Sequence, residues 1–81
     1  MQFKINLKDI DGVKAFCPLI LGFESDMDLS IDHYTVDAKS ILGVLSLNIN
    51  KDLLMTIHEK AEGETIKIMD LMREHGFLVE A

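Results

Sequence analysis

The stretch KSILGVLSL, Lys39 to Leu47, decides the fold. Ser40 is placed to cap a helix, because its hydroxyl can accept a hydrogen bond from the orphan N–H groups of a first turn. Behind it Ile41, Val44 and Leu45 recur at helical spacing. Gly43 removes a side chain where a neighbour can then approach closely. The stretch therefore reads as a short apolar helix, able to pack on a sheet and to offer apolar side chains to a partner.

Working outward, Met27–Ile31 and Tyr34–Val36 read as two strands joined by a tight Asp32-His33 turn. Asn48 and Asn50 suit a loop. Asp52 to Glu59 carries Leu53, Met55 and Ile57 on one face, the period of a half-buried strand. Lys60–Glu64 is a charged turn around Gly63. Thr65–His75 shows Ile66, Met69 and Met72, with Ile68 and Leu71 beside them, an amphipathic helix. Gly76 is its expected C′ residue, and Phe77–Val79 forms an apolar tail that either docks on the core or frays. Toward the N-terminus, Met1–Leu7 alternates, with Phe3, Ile5 and Leu7 on one side. Lys8–Gly12 is a polar turn in which Asp9 or Asp11 can cap the next helix. Val13, Phe16, Cys17, Ile20 and Phe23 then fall at helical spacing. Pro18 lacks an N–H and clashes with the preceding turn, so a kink or restart is expected near Cys17, with Gly22 ending the helix.

The expected order is strand, helix, strand, strand, helix, strand, helix. A four-stranded antiparallel sheet with three helices on one face satisfies it, an α+β single domain over residues 1–81. The chain has 81 residues, room for one small core. Eight Lys and Arg against fourteen Asp and Glu give a net charge of −6, which disfavours nucleic acid, whose phosphates must be neutralised by cations. The lone Cys17 cannot form an internal disulfide and suits a reducing compartment. No basic, apolar leader opens the chain, and no apolar run approaches the roughly 20 residues of a bilayer span, so a cytoplasmic protein is expected.

By sequence from Phe23 to about Ile57, and most closely at DAKSILGVLSL (Asp37–Leu47), the chain resembles the HPr family. These are the small phosphocarrier proteins of the bacterial phosphoenolpyruvate-dependent sugar phosphotransferase system. The resemblance implies the HPr-like open-faced β-sandwich. In the family, a histidine in a GIHARPA-type loop at the start of the first helix accepts phosphate. There the helix N–H groups and a nearby arginine stabilise the phosphoryl charge. Here that stretch is Lys8–Lys14. Counting back from the matched serine puts Asp9 at about the histidine position, and the only arginine, Arg73, is in the last helix. The resemblance therefore implies a relative without histidine phosphocarrier activity and not an enzyme.

The resemblance also implies a regulatory phosphorylation at Ser40. In Gram-positive members the matching serine is modified by a dedicated kinase, and the product binds a transcriptional regulator. Lys39 adjoins it, and a phosphate is favoured at a helix N-terminus. The family docks partner enzymes on this helix, which makes Lys39, Ile41, Leu42 and Leu45 the partner-binding candidates. For Leu42, core and docking surface stand open; Leu45 reads first as core. Expected partners are proteins: phosphotransferase-system enzymes, the serine kinase or a regulator. His33, His58, His75 and Cys17 lack the paired ligand spacing of a metal site, so no metal or cofactor is expected. Two rivals stand beside this reading: a phosphocarrier with an unusual acceptor, and a purely structural or interaction domain.

Overall fold

A computed structural model describes residues 1–80. In chain order the elements are β1 (Gln2–Ile5), α1 (Ile10–Ile20), β2 (Asp26–Ile31), β3 (Tyr34–Asp37), α2 (Ile41–Leu45), β4 (Leu53–His58) and α3 (Glu64–Glu74). The four strands form one antiparallel sheet in the order β1-β4-β2-β3. This is the expected α+β architecture.

Alternation along the strands separates a buried face from an open one. Leu53, Met55 and Ile57 of β4, and Met27 and Leu29 of β2, are buried. They meet Val13, Phe16, Cys17 and Ile20 of α1, Val44 of α2, and Ile68 and Met72 of α3 in one core. Among the described residues, no helix is long and apolar enough to cross a membrane.

Several local expectations are corrected. The polar run Lys8–Gly12 is not all turn, because α1 already begins at Ile10 with Asp9 as its N-cap. Pro18 does not restart α1, which runs unbroken through it. Pro18 and Lys14, whose carbonyl loses its helical donor, are both exposed, so water can satisfy that oxygen. Gly22 does follow the end of α1 as expected, but without a left-handed φ: Leu21 is the C-cap in right-handed geometry, and Phe23 N donates to Ile20 O. On α3 the inward stripe is Ile68 and Met72, whereas Ile66 is exposed.

Gly76 does end α3, at φ 74. Gly76 N donates to Arg73 O at 3.1 Å and Phe77 N to Met72 O at 2.8 Å, the two bonds of a Schellman cap. The apolar tail beyond it docks. Phe77 is buried edge-on to Phe16, Asn6 N donates to Phe77 O, and Val79 N donates to Lys4 O, so the segment covers the free edge of β1.

Candidate protein-binding site

Helix α2 is five residues long and buries only Val44. Ser40 is its N-cap: the hydroxyl accepts from Gly43 N at 3.3 Å. At the other end the Ser46 hydroxyl donates to Gly43 O at 2.6 Å. Gly43 faces β3, where a Cβ would lie 3.3 Å from Val36 Cβ, which is the close approach the glycine permits. With that side of the helix against the sheet, the remaining apolar residues are left outside. Leu42 is 79% exposed, Ile41 45% and Leu45 40%. The expectation of Leu45 in the core fails: α2 is little more than one turn, and Val44 is the one residue of it that reaches the core.

Lys39 lies beside Ser40, yet its ammonium is engaged elsewhere. Its Nζ donates to Phe23 O at 2.6 Å, and its own amide donates to Asp37 Oδ1 at 3.0 Å. The start of α2 is thereby strapped to the α1–β2 loop. The same loop is held from the far side by Glu64, a buried carboxylate that sequence reading left inside a charged turn. Glu64 accepts from Glu24 N at 3.1 Å, Ser25 N at 2.8 Å and Ser25 Oγ at 2.6 Å. Lys60 N in turn donates to Ser25 Oγ at 2.9 Å. The Ser25 hydroxyl, followed by the loop amides, holds the Glu64 carboxyl below its ordinary value although burial pushes the other way.

Asp9 sits at the opening of α1, where its Oδ1 accepts from Gly12 N at 2.9 Å. Asp9 N also donates to Leu7 O at 2.8 Å across Lys8, which is held at φ 73. That bond closes a γ-turn of the rarer left-handed kind. The backbone then passes so close that a Cβ at Gly12 would overlap the Leu7 carbonyl. The aspartate thus caps the helix, and the turn before it is drawn tight.

The histidines are dispersed. His33 lies in the exposed hairpin turn, His58 Nε2 is 3.1 Å from Asp28 Oδ2 on the open sheet face, and His75 stacks on Phe77 at the end of α3. Among the described residues, no three His, Cys, Asp or Glu side chains gather as a metal site. Burial raises the Cys17 thiol pKa, so it is a poor nucleophile.

No protein-family model matches the chain. Among solved structures it resembles HPr-C-His from Thermoanaerobacter tengcongensis, with a TM-score of 0.74, 24% identity, and coverage of 91% of this chain and 92% of that one. The fold is HPr-like. The likeness extends over nearly all of both chains, so the open-faced sandwich is shared as a whole.

Proposed function

We propose that this HPr-like domain binds another protein through α2 and does not carry phosphate on a histidine. The observation that supports it best is the exposure of Ile41, Leu42 and Leu45 on a helix that spends a single residue on the core. Adjacent apolar side chains left in water on one short element are the mark of an interaction surface. In this reading Lys39 positions the start of α2, and the other three make the contact.

The loss of phosphocarrier chemistry is argued from the start of α1. Lys8–Lys14 contains no histidine and no arginine, and Asp9 and Asp11 would repel a phosphoryl donor. The relationship to the phosphoenolpyruvate-dependent sugar phosphotransferase system then lies in the fold and in the partners, which would be its enzymes, a kinase or a transcriptional regulator of the reducing cytoplasm. Ser40 is the regulatory position: its hydroxyl is exposed and caps α2, and a phosphate there would place negative charge on the docking surface.

Two incubations test this. With phosphoenolpyruvate and the first enzyme of the system, mass spectrometry is expected to find no phosphorylated histidine or aspartate; an adduct on either overturns the loss of carrier function. With HPr kinase and ATP, one phosphate is expected on the parent and none on Ser40→Ala. An unmodified parent protein removes the regulatory role.

A further inference from the structure

We draw no further inference here: the strongest candidate, the outer edge of the sheet along β3, is only four residues long and has its Asp37 carbonyl already taken by Ser40 N, and nothing in the structure shows what covers it.

Discussion

At Gly12 a hydrogen atom in place of a side chain lets α1 begin against the Leu7 carbonyl. Glycine inside a helix ordinarily costs roughly 0.5–1 kcal/mol relative to alanine, so Gly12→Ala would stabilise an exposed helix. Here the added methyl must displace backbone, and overpacking of this kind costs about 1–3 kcal/mol. Gly12→Ala is therefore expected to destabilise, lowering the urea midpoint with an unchanged m-value; a raised midpoint would refute the close approach. The sequence could not announce this role. A glycine among polar residues reads as a turn, and its neighbour is a carbonyl placed by the left-handed Lys8. Glu64 was hidden for the same reason, since the amides it accepts from lie 39 and 40 residues upstream. Asp9, by contrast, was legible as a cap because its partner is three residues away.

Among the elements, α1 and α2 show how far local pattern reaches. The apolar spacing of α1 was readable, and the continuity through Pro18 was not, because the cost of proline depends on where the freed carbonyl faces. Pro18→Ala restores a donor to Lys14 O and removes the ring clash. It is expected to raise stability by about 1–3 kcal/mol, less than or equal to the full interior penalty. No gain in the thermal midpoint would mean that proline is strain-free in this helix. For α2 the cap and the helix were legible, while the choice of outward residues was not, since five residues fit two stripes equally well. The structure separates them. Val44→Ala is expected to cost about 2 kcal/mol through lost burial and a cavity. Leu42→Ser, on the solvent side, is expected to stay within about 0.5 kcal/mol of the parent. Similar losses for both in chemical denaturation would place Leu42 in the core and remove the docking surface.

On the scale of the whole molecule, the order of elements along the chain and the two layers were legible because β1, β2 and β4 alternate and α1 and α3 each carry an apolar face, whereas the strand order within the sheet rests on pairings distant in sequence. The docking of Phe77–Val79 on β1 was left open, since a short apolar tail carries no period and its hydrogen bonds reach back to the first strand. The molecule's response to acid is set by such long-range bonds. Three carboxyls are held below their ordinary values: Glu64 first by the Ser25 hydroxyl, Glu59 by the Thr65 amide, and Asp26 by its hydrogen bond from Lys60. A carboxyl whose pKa is lower folded than unfolded contributes stability that is complete above its ordinary value. For a glutamate here that value is 4.5, and the contribution is lost as pH falls through the lower folded value. Acid also cancels the net charge of −6 as pH falls to the isoelectric point near 4.8 and builds positive charge below it. Comparison with Glu64→Gln isolates the first effect, because this general change in net charge acts on both proteins. Glutamine keeps one acceptor oxygen and turns an amide toward a backbone donor, so Glu24 N or the Ser25 donors lose their acceptor. At neutral pH the variant is expected to melt several degrees below the parent. From about pH 4.5 downward the two melting curves are expected to converge, as the parent loses by protonation what the variant already lacks. A gap that stays constant or widens to pH 3 would show that Glu64 holds the α1–β2 loop by packing and not through its charge.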